Sequence, residues 1–371
     1  MRLLIVTPLQ PRATGNRVTA LRYREEIEAC GHEVRLVMTD EQSPVLLQRA
    51  LDDFRPDLVH LLHAYRSGRP WLDCTPSSPV PMVVTLTGTD IHMGMASPTH
   101  GPIIRRVLER AAAVITQNRL TFADLGRCPD AWGRRLHYLP PAIVLGSAPC
   151  PLRQLHRIPS DHVLFLHPAG IRQVKGNLDM LRLFDRIAAE RSGFTVAFCG
   201  PILEQSYGGQ FLAEVERRPW ARYLGTIPTT AMAAALREAD VVLNNSICEG
   251  LSNVLAEASV LGRPLLARNN PGNADVVREG VNGLLFDSTD EFAERALTLI
   301  DRPDLRQSLS RPSANRFDPA DEARALESIY RQVLRDLAIA KIPLIISSSL
   351  VKEGEYEDID PRKEWHKTRS H

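Results

Sequence analysis

Short apolar runs that end in turn residues and lead into amphipathic helical patterns recur along most of the chain. That rhythm narrows the fold more than any other feature. In the first half, apolar runs at 3–6, 33–37, 58–62, 83–86 and 114–116 read as strands, with helices expected over 18–30 and 101–113. In the second half, strands at 163–166, 195–199, 223–224, 241–243, 264–267 and 284–286 alternate with helices at 178–190, 211–216 and 229–238 and with one that follows Asn244. Alternation of this kind in both halves predicts an α/β chain of two doubly wound parallel sheets facing each other across a cleft. Pro140-Pro141 and the proline-punctuated stretch 145–159 break the periodicity between them. The expected organisation is an N-terminal Rossmann-like domain over 1–150, a linker over 151–160 and a C-terminal Rossmann-like domain over 161–317. A helix over 318–341 follows, carrying Leu326, Ile329, Tyr330 and Val333 at helical spacing. Four of the five lysines fall at or beyond Lys341, and residues 342–371 read as an atypical tail with no catalytic part. A chain of 371 residues is long enough for two cores.

Open α/β sheets bind ligands at the carboxyl ends of their strands, so the segments that leave those ends come first. The stretch 244–264 reads NNSICEGLSNVLAEASVLGRP: a strand end, a turn and an amphipathic helix. A helix N-terminus carries unpaired N–H groups and a positive dipole end, which together make a phosphate site. Gly250, Leu251, Ser252 and Asn253 are placed to supply those amides, and Ser252 adds a hydroxyl. Asn253 and Glu257 stand one helical turn apart, with Glu249 just ahead of the helix. Two carboxylates beside an anion site make sense as acceptors for hydroxyls on either side of a phosphate, a sugar on one side and a ribose on the other. The same letters also read as an ordinary acidic helix start.

Lys175 is the only lysine before Lys341 in a chain with 40 arginines. It sits in HPAGIRQVKG, directly after a strand and three residues beyond Arg172. A forked guanidinium and a compact ammonium in one loop suit a diphosphate, although a chance surface lysine fits the letters too. In the first half, Gly15 and Asn16 follow the first strand, His63 ends the third, and Asp90 ends the TGTD segment after the fourth. Gly15 and Asn16 read either as backbone contacts for a ligand or as a structural turn. His63 and Asp90 are placed to exchange a proton or hold a hydroxyl at the acceptor side, with His92 a weaker candidate. No G-x-G-x-x-G follows the first strand, so a dinucleotide fingerprint is not supported. Gly200, Pro201 and the 225–228 segment with Ile227 follow strands and read as backbone lining for a base, or as plain turns.

A formal net charge of +1 calls for no nucleic acid. Six scattered cysteines without a C-x-x-C, and no histidine cluster, suggest neither a metal nor a disulfide framework, and reduced thiols fit a cytoplasmic setting. No apolar stretch approaches the roughly 20 residues that a membrane span needs, which leaves only peripheral membrane contact open.

The loop with Arg172 and Lys175 and the Glu-x7-Glu spacing of Glu249 and Glu257 resemble the donor site of the group 1 glycosyltransferases (glycosyltransferase family 4, GT-B fold). TGNRVTALR (14–22), LHAYRSGR (62–69), GTD (88–90), EGLSNVLAE (249–257) and LARNNPGNADVV (266–277) extend the likeness over roughly residues 1–335. The resemblance implies transfer of a sugar from a nucleotide-sugar donor to an unidentified acceptor, with retention of anomeric configuration, no obligatory metal and no cofactor. It also implies that Arg172 and Lys175 offset the charge of the leaving diphosphate, that Glu249 holds sugar hydroxyls and that Glu257 holds the ribose. The chain departs from the family at Thr85–Asp90, where many members carry a histidine in a T-x-H-D-like segment. A nucleotide-sugar epimerase on the same architecture and a non-catalytic nucleotide-sugar-binding scaffold are the alternatives.

Overall fold

The computed structural model describes residues 1–9, 15–40, 42–76, 79–127, 135–313 and 318–340. Thr14 of the TGNRVTALR motif and the tail at 342–371 lie outside the described residues. The strands are β1 (Arg2–Pro8), β2 (Glu33–Thr39), β3 (Leu58–Leu62), β4 (Met82–Leu86), β5 (Ala113–Thr116) and β6 (Leu136–Tyr138), then β7 (Val163–Pro168), β8 (Phe194–Cys199), β9 (Ala221–Tyr223), β10 (Val241–Asn244), β11 (Leu265–Arg268) and β12 (Gly283–Phe286). They form two parallel six-stranded sheets in the orders β2-β1-β3-β4-β5-β6 and β12-β11-β10-β7-β8-β9. Each order reverses once, between β1 and β3 in the first sheet and between β7 and β10 in the second. Adjacent crossovers leave those two points on opposite faces, and the divergence opens a crevice at the carboxyl ends of the strands.

Helices cover both faces of both sheets, which is why the strands read as nearly continuous apolar runs rather than as alternating ones. Along β1, Leu4 and Val6 enter one core while Leu3 and Ile5 enter the other. Along β7, Val163 and Phe165 face one side and Leu164 and Leu166 the opposite side. The helix Pro319–Ala340 seals one of these faces: Leu326, Ile329, Tyr330 and Val333 join Leu3, Ile5, Ala20 and Tyr23 in a first-domain core. Burial of aliphatic side chains of this size contributes about 1.5–3 kcal/mol each. Arg22 fixes the register, donating from Nε to Glu322 at 2.6 Å and from Nη2 at 3.0 Å. Beneath it His60, pushed down to about 3 by burial, bonds Tyr330 Oη at 2.5 Å and Thr85 Oγ1 at 2.7 Å.

Several local expectations shift. The first helix is Gly15–Ala29, beginning three residues before the expected start; Gly and Asn are tolerated there because first-turn N–H groups have no intrahelical partner anyway. The helix expected over 101–113 stops at Arg110, because Ala111 is extended and Ala113 pairs with Val83 in the sheet. Helices Val45–Phe54 and Arg119–Gly126 were not anticipated. The stretch expected as a linker holds the short helix Leu152–Leu155, and Leu152 and Ile158 are buried in a second-domain core. Among the described residues no helix is long and apolar enough to cross a membrane.

Candidate functional site

A cleft of about 840 Å³ lies where the two sheets' crossover points face each other, lined from both domains. On the second-domain side, β7 delivers the loop 169–176 and β10 the loop 245–252, so the two stretches singled out in the sequence leave from the two strands that flank the reversal. They are locked together. Ile247 N–H donates to the Val174 carbonyl at 2.9 Å, and Asn245 Nδ2 donates to the Gly176 carbonyl at 2.9 Å. Gly176 has φ +61° and packs so tightly that a Cβ there would stand 2.6 Å from the Asn245 carbonyl oxygen, so only glycine fits.

This lock sets Lys175 against Glu249, whose Oε1 accepts from Lys175 Nζ and, at 2.7 Å, from Ser246 Oγ. Burial acts to raise the Glu249 carboxyl. The Lys175 ammonium, with hydrogen bonds from Ser246 and Asn244, more than offsets that and holds it below the usual carboxylate range. Arg172 lines the same space. Burial pulls its guanidinium pKa down, Glu249 opposes that, Arg66 adds to it, and Nε has no hydrogen-bond partner among the described residues. His167, at the end of β7, is pushed down to about 3 by burial and then by Lys175, so it is neutral and offsets none of the local positive charge.

Gly250, Leu251 and Asn253 line the cleft, but the helix begins at Asn253 rather than at Gly250. Gly250 and Leu251 therefore border it as extended loop. Ser252 is the buried N-cap: its Oγ accepts from Leu255 N–H at 3.4 Å and from Asn244 Nδ2 at 2.9 Å, so the hydroxyl holds its own helix instead of reaching a ligand. The Asn253 and Val254 amides remain without intrahelical acceptors. Glu257 stands one turn beyond the lining, with its carboxyl pushed up to about 7 by burial alone. Pro201 and Ile227 line the cleft, whereas Gly200 lies behind it, its carbonyl taken by Tyr223 Oη at 2.8 Å.

The first-domain wall is built differently. Gly15 and Asn16 line it as a helical turn rather than a loop, and a Cβ on Gly15 would lie 3.9 Å from Asn253 Nδ2 of the other domain. His63 lines it in a left-handed backbone conformation, φ +80°, costly for a residue with a Cβ and characteristic of functional sites. Its Nδ1 accepts the N–H groups of Tyr65 at 3.2 Å and Arg66 at 3.1 Å. The proton therefore sits on Nε2, which donates to Thr89 Oγ1 at 3.2 Å. His63 thus turns Nε2 to Thr89 at the cleft, while Nδ1, 3.9 Å from Asp90 Oδ2, is held by its own loop. Asp90 corrects the sequence reading more sharply. It is 1% exposed and outside the lining, and its carboxylate accepts from the N–H groups of Ala64 at 2.8 Å, Thr87 at 3.0 Å and Ile91 at 3.2 Å. It holds the loops after β3 and β4.

Sequence reasoning missed several lining residues, among them Arg66, Thr87, Gln117, Asn118 and Thr121. Asn118 caps the helix Arg119–Gly126, accepting from Thr121 N–H at 2.7 Å, and its Nδ2 donates across the cleft to the Pro271 carbonyl at 2.7 Å. An asparagine ahead of a helical pattern is a legible cap; its bond to the other domain is not. Arg119 Nε likewise reaches Asp275 at 3.0 Å. Gly88, φ +101°, meets Gly250 so closely that a Cβ there would fall 2.1 Å from the Gly250 nitrogen. The two walls touch through bare backbone at the edge of the site.

Residues 151–316 match the family model for glycosyl transferases group 1. Glycosyltransferase 1 domain-containing protein 1 of Xenopus tropicalis, the type to which the quoted motifs point, is 24% identical over 352 residues, covering 91% of this chain and 99% of the relative. Among solved structures, sucrose-phosphate synthase from Thermosynechococcus elongatus superposes with a TM-score of 0.72 at 15% identity, covering 92% of this chain and all of that one. Anabaena HepE in complex with UDP and glucose gives 0.67 at 16% identity, covering 91% and 100%. These structures share the GT-B architecture of two facing parallel-sheet domains, and residues 151–316 of the chain are similar to the group 1 glycosyl transferases.

Proposed function

We propose that the chain transfers a sugar from a nucleotide-sugar donor to an acceptor hydroxyl, with retention of anomeric configuration and without a cofactor or an obligatory metal. One observation carries the reading: Lys175, Arg172 and Glu249 converge in the cleft at the crossover point of the second sheet, beside the N-terminus of the helix Asn253–Val260. When the bond between the anomeric carbon and the diphosphate breaks, its electron pair stays on the phosphate oxygen. Lys175 and Arg172 offset that charge as fixed cations that need no reorganisation when the bond breaks. A divalent cation would supply the same neutralisation; with two cations already in place, metal independence is the simpler expectation.

Glu249 is held ionised at the cleft, with Oε1 bonded to Lys175 and Ser246, and its carboxylate suits sugar hydroxyls. Glu257, with its lone raised carboxyl one turn further on, suits the ribose. His63 Nε2–H suits a sugar or acceptor oxygen. The acceptor enters along a neutral wall of amides and hydroxyls that includes Asn16, Thr19, Thr87 and Gln117. No compartment follows from these features.

A panel of UDP-, GDP- and ADP-sugars, titrated without added metal while the melting midpoint is followed, tests the reading. At about 100 times its dissociation constant a true donor adds roughly 2.7 kcal/mol. Stabilisation by one nucleotide class identifies the donor, and product analysis without acceptor separates transfer from epimerisation. No stabilisation by any member, with no transfer or donor hydrolysis, overturns it.

A further inference from the structure

The LHAYRSGR motif after β3 contributes more to the cleft than His63. Arg66 lies three residues further on and is partly exposed, and its backbone is tied to the crossover of the first sheet by the N–H donated to His63 Nδ1. Its side chain lines the same cleft as Arg172 and Lys175, which leave from the crossover of the second sheet. The charge of Arg66 also acts on the Arg172 guanidinium, in the direction that disfavours a second cation. Three permanent or near-permanent cations therefore border one space, against a single carboxylate among the described lining residues, Glu249, already paired with Lys175. An anion of more than one charge lying between cations from two domains is attracted to both walls at once. The walls already meet at Gly88 and Gly250, which line the same cleft.

We propose that Arg66 is the first domain's contribution to the diphosphate site, contacting the donor's phosphates from the wall opposite Arg172 and Lys175, so that one ligand bridges the two domains. The guanidinium fork matches two phosphate oxygens at once, which a neutral wall of hydroxyls does not. Arg66 is a binding residue in this scheme, and the scheme rests on the nucleotide-sugar reading above.

Inorganic pyrophosphate is the probe, because it presents the diphosphate with neither base nor sugar. Its affinity is measured by calorimetry on the full chain and on Arg66→Gln, Arg66→Lys and Lys175→Ala, with the ligand-free melting midpoint of each. The expected result is that Arg66→Gln binds pyrophosphate roughly tenfold or more weakly, as loss of a hydrogen bond to a charged group implies. Arg66→Lys should recover part of that loss, and the ligand-free midpoints of both should match the parent. Unchanged pyrophosphate affinity in Arg66→Gln alongside weakened binding in Lys175→Ala overturns the role of Arg66 and leaves the donor site standing. Weakened binding that comes with a lowered midpoint and no recovery in Arg66→Lys assigns Arg66 to structure and also overturns it. If the parent binds no pyrophosphate, or Lys175→Ala binds as the parent does, the diphosphate reading falls and this inference with it.

Discussion

The two crossover points make an instructive pair. At the one between β7 and β10, the charged side chains meet each other directly, Lys175 on Glu249 with Arg172 alongside, on loops cross-bonded at Gly176 and Ile247. At the one between β1 and β3, the polar groups turn back to hold their own loops: Asp90 takes three backbone amides, and His63 Nδ1 takes two. The first arrangement keeps charge concentrated where, on the proposed reading, a diphosphate is stabilised. The second spends His63 and Asp90 on fixing a wall whose remaining face, Arg66 apart, is largely amide and hydroxyl. A charged site needs few residue types at strict spacing and leaves a motif; a neutral wall selects by shape and leaves almost none.

Replacing Lys175 by Ala should have the largest effect, lowering kcat/KM for transfer by about 100- to 1000-fold or more, the scale seen when a stabilising group is removed from a developing oxyanion. Urea denaturation should show the fold retained, and near-normal turnover would dissolve the contrast between the two walls. Next comes Gly88→Val. A side chain there has no room beside Gly250, so the walls are held apart and transfer should drop by roughly 100-fold while each domain stays folded. Small-angle scattering checks the pair: a variant that keeps the parent radius and rate contradicts the close approach.

The Asp90 variants sharpen the comparison from the other side. Asp90→Ala takes the acceptor from the N–H groups of Ala64 and Thr87, at about 1–3 kcal/mol each where no substitute is found, while Ile91 N–H keeps the Gly88 carbonyl at 3.1 Å. It should appear first as lost stability in urea melts. Asp90→Asn keeps an acceptor in place and should keep a sizeable part of both stability and turnover. An Asn variant that folds like the parent but is inactive would return Asp90 to the chemistry.

The smallest effect concerns Glu257. Its carboxyl, pushed up to about 7 by burial, keeps a proton that the unfolded chain releases near the ordinary carboxylate range. The folded state binds the extra proton in that window, so this group makes the ligand-free protein less stable as pH rises towards 7. Hydroxyl binding wants the ionised form, so nucleotide affinity should rise severalfold from about pH 6 to pH 8 on the proposed reading. Glu257→Gln should flatten both trends, and a parent-like profile in that variant removes Glu257 from the ribose.

Much of this molecule was legible in its letters. Strands buried on both faces have to be apolar throughout, so their positions and the helix-strand rhythm could be read. A cation pair and a Glu-x7-Glu spacing serve one short segment each, so local order carries them. The helix with Leu326, Ile329 and Tyr330 announced its buried face through periodicity alone. Ser252, by contrast, reads equally as a ligand donor or as a cap, and only its bonds to Leu255 and Asn244 decide which. Asp90 at a strand end has the look of a base until three amides from two loops are seen around it. Arg66 is one arginine among 40 until the fold sets it opposite Arg172. The sequence by itself determined two parallel-sheet domains and the charged loops of the second, because burial and local spacing are written along the chain. Tertiary structure alone decided which polar groups face the cleft and which brace it, and that the domains meet at Gly88 and Gly250, because those choices depend on partners far apart in sequence and on the direction in which each side chain's lone pairs and protons are used.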